Sequence, residues 1–337
     1  MSRLPVIAIA IVGAFLTFSP AATALVTVGQ IAPGTNPETS CEFSQSYDEI
    51  QIVSGAAPSY TVPVSGVLTS WSTNAAAGSG QTMGMKVFRP IGPGQFLVVG
   101  HNGPNLLAPS VINTFPVNIP VLAGDILGVA VTPGLPEAGG APTACAFTTL
   151  NPLDVIAYKS GSVPDGGVVV PEAESNFNES RLNVSATLLP PPAISAITPA
   201  KGSIKGGSNV VLTGLNFASV TGVTFGGVPA VFAVNSEGQI TAVSPASKKI
   251  TKVPVTVTTI AGAATAVQTF SYEGCKVPGL GGKKLKAAKK TLRNKDCKVG
   301  KVKKTGDATA NTGKVKKQNP KPGKILAPGT KVNVTLG

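Results

Sequence analysis

Residues 192–217 read PAISAITPAKGSIKGGSNVVLTGLNF, and the order of apolar and turn residues in them sets the fold. Val210 and Leu212 alternate with neighbours that need no burial, the period of two expected of a strand with an inner and an outer face. Phe217 adds a third inner residue beyond Gly214. Gly206-Gly207 supplies a tight turn, because glycine reaches positive φ without steric cost. The same grammar continues through VTFGGVPAVF (223–232), ITAVSPA (240–246), VPVTVTT (253–259) and FSYEG (270–274). Short β-branched runs between glycine and proline punctuation favour packed β-sheets over a helical bundle.

This segment resembles the IPT/TIG family of immunoglobulin-like domains. The carrying residues are Ile194, Ile197, Pro199, Gly202, Gly206-Gly207, Val210, Leu212, Gly214 and Phe217, with FSYEG closing the module. The resemblance implies a β-sandwich over residues 191–273. Upstream, LLPPPA (188–193) reads as a stiff extended linker.

Residues 25–190 alternate strand-like runs with turn signals, as in SYTVPVSGVLTSWST (59–73), TMGMKVFRPI (82–91), QFLVVG (95–100) and FPVNIPVLAGDILGVAVT (115–132). In TMGMKVF, Met83, Met85 and Val87 point one way and Gly84, Lys86 and Phe88 the other, as in a strand with one buried face. An antiparallel sandwich follows. The turn Ala123-Gly124-Asp125-Ile126-Leu127-Gly128-Val129 resembles that of secreted jelly-roll sandwiches, without carrying a site.

The N-terminus, MSRLPVIAIAIVGAFLTFSPAATA, has one arginine, an apolar run from Leu4 to Phe18 and a small-residue pattern ending at Ala24. We expect a signal peptide over residues 1–24, since a run of about 15 apolar residues is short for a span of about 20. No later segment has spanning length, so no transmembrane span is expected after cleavage. Four cysteines in an exported chain allow three pairings. Domain boundaries select Cys41 with Cys145 and Cys275 with Cys297. No CxxC occurs and His101 is the single histidine, so no metal ligation and no cofactor are expected.

Charge is concentrated at the other end. Residues 274–337 hold 18 Lys plus Arg against Asp296 and Asp307, or +16, while the whole chain carries +13, so the remainder sums to −3. Leu285, Ala288 and Leu292 recur at helical spacing, which puts Lys283, Lys284, Lys286, Lys289 and Lys290 largely on the solvent side. The segment resembles a PASTA domain, a small α+β module of penicillin-binding proteins and bacterial Ser/Thr kinases. The residues that carry this are Val277-Pro278, Leu280, Gly282, the helix, Val299-Gly300-Lys301-Val302, Gln318-Asn319-Pro320, Pro322-Gly323, Gly329, Val332 and Val334. A Cys275–Cys297 bridge stabilises such a minimal core by about 3 kcal/mol in the chain-entropy model.

The resemblance implies binding of uncrosslinked peptidoglycan or another anionic wall polymer. Lys283, Lys284, Lys286, Lys289, Lys290, Lys301, Lys316 and Lys317 are the candidate contacts, since a one-signed charge excess attracts polyanions. Nucleic acid is not the expected partner, because the segment has no Phe, Tyr or Trp to stack on bases. A bacterial host, also implied, makes the acceptor patterns at Asn178, Asn183 and Asn333 coincidental.

Elsewhere, His101 in GHNGP reads as an exposed turn residue without a nucleophile or orienting acid beside it. Glu137, Asp154, Asp165, Glu172 and Glu174 lie in Gly/Pro-rich stretches without glycosidase spacing. Asp125 reads as a turn cap rather than a calcium ligand, and Trp71 with Tyr60 as core rather than a sugar-stacking pair. The expected protein is mainly β: two sandwiches, then an α+β PASTA domain over 274–337, exported and non-enzymatic. The competing readings are a secreted carbohydrate-active enzyme or a glycan-binding adhesin, with its site in residues 25–190 and a glycan or protein ligand.

Overall fold

In the computed structural model, which describes residues 25–34, 45–132, 143–172 and 176–337, strand Thr82–Gly92 organises the first sandwich. Met83, Met85 and Val87 face inward against Leu68 and Trp71 of Gly66–Asn74, beside Leu127, Val129 and Val131 of the neighbouring strand Ile126–Val131. A four-stranded sheet, Val26–Gln30, Val184–Leu189, Gly66–Asn74 and Ile112–Val121 in spatial order, packs on this core. The opposing seven-stranded sheet centres on Thr82–Gly92, Ile126–Val131 and Tyr47–Val53, and every pairing in both sheets is antiparallel.

The outer face of the larger sheet departs from expectation, because it too is buried. Val169 on the edge strand Val168–Val169 extends an apolar cluster of Ile50, Phe88, Phe96 and Val98 on that face, and Val163 packs against it. Lys86 therefore sits beneath protein rather than in water. Its Nζ donates to Asp48 at 2.8 Å, to the Ser162 hydroxyl at 2.9 Å and to the Val163 carbonyl at 2.6 Å. The Val163 amide closes the cluster by donating to Asp48 at 2.8 Å.

Two further polar clusters tie distant parts of the chain. The Arg181 side chain reaches Asp154 at 2.9 Å, the Gln30 side chain at 3.0 Å and the Ala56 carbonyl at 2.8 Å. Asn183 accepts from the Ala32 amide and donates to the Asn74 and Ala144 carbonyls. Buried polar groups need such partners, since an unmet one costs about 1–3 kcal/mol.

The expected linker is shorter than the sequence implied. Leu188 and Leu189 finish a core strand and Ala193 starts the next module, leaving only the three prolines between strands. Leu188 is fully buried, so the apolar pair belongs to the first core. In the second module, Val210, Leu212 and Phe217 are fully buried, with Val223, Phe225, Ile240, Val255, Val257 and Phe270 packed around them. Gly214 has a packing reason: a Cβ there would stand 2.0 Å from the Ala193 carbonyl oxygen.

Phe270–Glu273 runs through Gly274 straight into Cys275–Lys276, without a spacer. The last module has the one helix among the described residues, Leu285–Arg293, whose buried Leu285, Ala288 and Leu292 lie on Val332, Val334 and Leu336. Its sheet has Lys331–Leu336 in the centre, parallel to Lys298–Lys304 and antiparallel to Val315–Asn319. Cys275 and Cys297 are bridged, 22 residues apart. Cys145 is also disulfide-bonded, and its expected partner Cys41 lies outside the described residues.

Candidate functional site

The C-terminal helix is amphipathic in charge as well as hydropathy. Its first turn has no acidic residue, and Lys290 and Arg293 in its last turn complement the negative end of the helix dipole. Lys286, Lys289 and Lys290 are exposed on the faces that do not pack on the core, with Lys283 and Lys284 exposed just before the helix. Lys301 stands on Lys298–Lys304, where its amide donates to the Asn333 side chain at 2.8 Å. Lys316 and Lys317 stand on the other edge strand, Val315–Asn319.

The eight candidate lysines thus do not form one cluster. Five lie at the helix and three are divided between the two edge strands of the sheet. Sequence reasoning missed Lys298, Lys303 and Lys331, all exposed on the same sheet. The signal was the alternation of Lys331-Val332-Asn333-Val334, with valines inward and polar residues outward. None of the ion pairs found among the described residues involves residues 275–337.

A cleft of about 680 Å³ opens where the helix ends. It brings Lys289, Arg293 and Lys298 together with Asp296 and with Glu273 of the preceding module. Glu273 also reaches Lys201 at 3.5 Å. The mixed signs make this cleft less attractive to an anion than the helix and sheet surfaces beside it.

The residues singled out in the first sandwich are mostly structural. Trp71 and Tyr60 are completely buried, which removes them as an exposed stacking pair. The Trp71 indole donates to Asn102 at 2.8 Å, and the Tyr60 hydroxyl bonds the carbonyls of Gln30 and Leu182. Asp125 caps its turn by accepting from the Leu122 amide at 2.8 Å, and it also receives a two-point contact from Arg89.

Asp154 is not a solvated loop acid. It is 1 % exposed, and while burial alone would raise its pKa, bonds from Thr149, the Gly55 amide and Arg181 hold it below the ordinary value. His101 stands on strand Gln95–Leu106 rather than in a turn, and Nδ1 lies 2.7 Å from Asp165. Strand pairing of Lys86 with His101 carries the ribbon through GHNGP, which the glycines had disguised as a loop. Glu172 is half-exposed, and bonds from Ser160 and Lys159 lower its pKa. Glu137 and Glu174 lie outside the described residues. Among the described residues no group of three or more His, Cys, Asp or Glu is placed to hold a metal ion.

Comparison with known proteins assigns two of the modules. Residues 192–272 match the IPT/TIG domain model and residues 276–337 match the PASTA domain model. The chain is therefore a modular β-rich protein with a central IPT/TIG domain and a C-terminal PASTA domain, both non-catalytic modules. No curated protein matched it.

Solved structures with local likeness include an auxiliary nutrient binding protein from Bacteroides thetaiotaomicron, 22 % identical over 27 % of this chain and 24 % of that one, with a TM-score of 0.22. SGBP-B from a complex xyloglucan utilization locus in Bacteroides uniformis is 17 % identical over 41 % of this chain and 37 % of that one, at 0.22. The plexin A4 extracellular region is 17 % identical over 45 % of this chain and 13 % of that one, at 0.24. The chain thus spans well under half of each, and likenesses at these TM-scores carry no argument about its fold or function. No helix among the described residues is long and apolar enough to cross a membrane.

Proposed function

We propose that this is an exported, non-enzymatic surface protein held non-covalently to peptidoglycan by its PASTA domain. In this reading residues 1–24 are a signal peptide, 25–190 a presenting sandwich, 191–273 an immunoglobulin-like spacer and 274–337 the anchor. The observation that carries it is the charge of the PASTA module, +16 with its lysines exposed and free of acidic partners among the described residues. Holding that many like charges in a small domain costs self-repulsion, which an anionic polymer relieves. Peptidoglycan supplies the carboxylates of its stem peptides, and PASTA domains are associated with that ligand. The disulfide in the anchor fits an oxidising compartment.

Pelleting with purified sacculi tests this. The full chain is compared with one ended after residue 273, which keeps both upstream cores intact. The full chain is expected to pellet at low salt and the shortened one to stay in solution. Binding should fade towards 1 M salt, where the screening length drops to about 3 Å. A full chain that remains in the supernatant at low salt overturns the anchor, and equal pelleting of both chains moves the wall contact upstream.

A further inference from the structure

The lysines of the PASTA module fall on two faces, that of the helix and the outer face of the sheet, and we propose that the module bridges two peptidoglycan strands, one on each face. This rests on the wall-binding reading above and adds a valency to it. On the helix, Lys286, Lys289 and Lys290 lie within an arc of about 100°, given about 3.6 residues per turn. Arg293 falls inside the same arc. The buried Leu285, Ala288 and Leu292 centre about 115° round the helix from that arc and rest on the inner face of the sheet. Lys286 and Lys290 therefore point away from that sheet, while Lys289 and Arg293 flank the contact and line the cleft at the helix end.

The register of the sheet defines the second face. Side chains of directly paired residues share a face. Val299 pairs with the buried Val332, and Val302 with the buried Val334, so those positions point at the helix. Gln318, also paired with Val334, likewise turns inward, where it bonds the Leu280 amide and the Pro278 carbonyl.

The neighbours of these residues then point outward. Lys303, Thr335 and Lys317 make one outward row across three strands, and Lys298 and Lys331 make another. Between them lie Asn333 and Asn319, a directly paired couple of exposed amides. Strand spacing of about 4.8 Å places Lys303 and Lys317 about 10 Å apart on either side of Thr335. Gly300 keeps this surface flat, because a Cβ there would stand 2.2 Å from the Asn333 side-chain oxygen.

Lys286 and Lys290 on the helix and Lys303, Lys317 and Lys331 on the sheet thus make two cationic surfaces with the apolar core between them, while Lys289, Arg293 and Lys298 border the mixed-sign cleft at the helix end. The acids of the module are only Asp296 and Asp307. Asp296 lies in the cleft at the helix end, where Lys298 also stands, and Asp307 follows the last residue of Lys298–Lys304 in the next loop. A single extended strand lying on one platform cannot reach the other through the core. The occupant with matching chemistry is an uncrosslinked glycan strand with free stem-peptide carboxylates. Its repeated anions suit lysines spread over a surface better than one deep pocket does.

A two-strand capture assay tests this with the full chain. Uncrosslinked peptidoglycan strands are fixed to beads, the protein is bound at low salt, and capture of a second, dye-labelled soluble strand is read. The wild-type chain is expected to bind the beads and to capture the second strand. Two matched variants, Lys286→Glu/Lys289→Glu/Lys290→Glu and Lys303→Glu/Lys317→Glu/Lys331→Glu, are each expected to keep bead binding but lose second-strand capture at least tenfold.

The combined six-residue variant should not bind the beads. All six positions are exposed, and the corresponding Gln triples, expected to lose capture less steeply, guard against misfolding caused by reversal. The bridge is overturned where wild type binds beads without capturing a second strand. It is equally overturned where one triple behaves as wild type while the other abolishes all binding, since a single face then does everything. Wild type that fails to bind beads overturns the wall-binding reading itself, and the bridge with it.

Discussion

Lys86→Met is expected to destabilise the N-terminal sandwich by about 3–5 kcal/mol, because it strands the Asp48 carboxylate in a dry layer. Asp48 has no exposed side-chain surface and Lys86 retains only 3 %. After substitution the carboxylate keeps the Val163 amide and a 3.4 Å approach of the Ser162 hydroxyl but loses its countercharge. Denaturant unfolding measures the loss cleanly, since Trp71 is the single tryptophan and is buried in this sandwich. Adding Asp48→Leu to Lys86→Met should recover a large part of the stability. Removing both charges removes the uncompensated one, leaving the Val163 amide and carbonyl as the residual cost. A single variant that loses less than about 1 kcal/mol would mean that water reaches the pair, against the closed layer described above.

The same pair shows where sequence reading stops. Alternation in TMGMKVF correctly places Lys86 and Phe88 opposite Met85 and Val87, but it cannot say that a later segment covers that second face. Lys86 meets a partner 38 residues away and Arg89 one 36 residues away, and nothing local marks either contact. Asp154, in a Gly/Pro-rich stretch, likewise carries no local sign of its partner Arg181, which comes from the later strand Ser180–Leu182.

In the PASTA module the short-range signals suffice for the core: Leu285, Ala288 and Leu292 are all buried as their spacing implies. The sheet platform escaped notice because of the irregularity between Val299 and Val302. Two residues, Gly300 and Lys301, separate those inward valines where strict alternation allows one. The outward set Lys298 and Lys303 is therefore out of phase in the sequence and in line only once the strands pair. Tyr60 and Trp71 illustrate the reverse case, where a large aromatic could serve packing or recognition and only burial distinguishes them.

Glu49→Gln is expected to flatten the pH dependence of the same sandwich by about 3 kcal/mol between pH 4.5 and pH 8. Glu49 lies on strand Tyr47–Val53, opposite Val129 on one side and Tyr158 on the other, and is 2 % exposed. Burial pushes its carboxyl from an ordinary 4.5 up to about 7. Below pH 4.5 the carboxyl is protonated in the folded and unfolded chains alike and imposes no pH dependence. As pH rises from 4.5 to 7 the unfolded chain releases this proton first, so stability falls through that window and levels off above it. A rise of about 2.5 pKa units at about 1.4 kcal/mol each gives the expected magnitude. Asp154 does not compete in this window, because its lowered pKa places its loss of stability at more acid pH. Groups that titrate in both chains cancel in the difference between wild type and variant. The measurement is Trp71-detected unfolding of both chains across that range. Parallel stability curves would show that the Glu49 carboxylate is already ionised in the folded protein, with its charge compensated rather than suppressed.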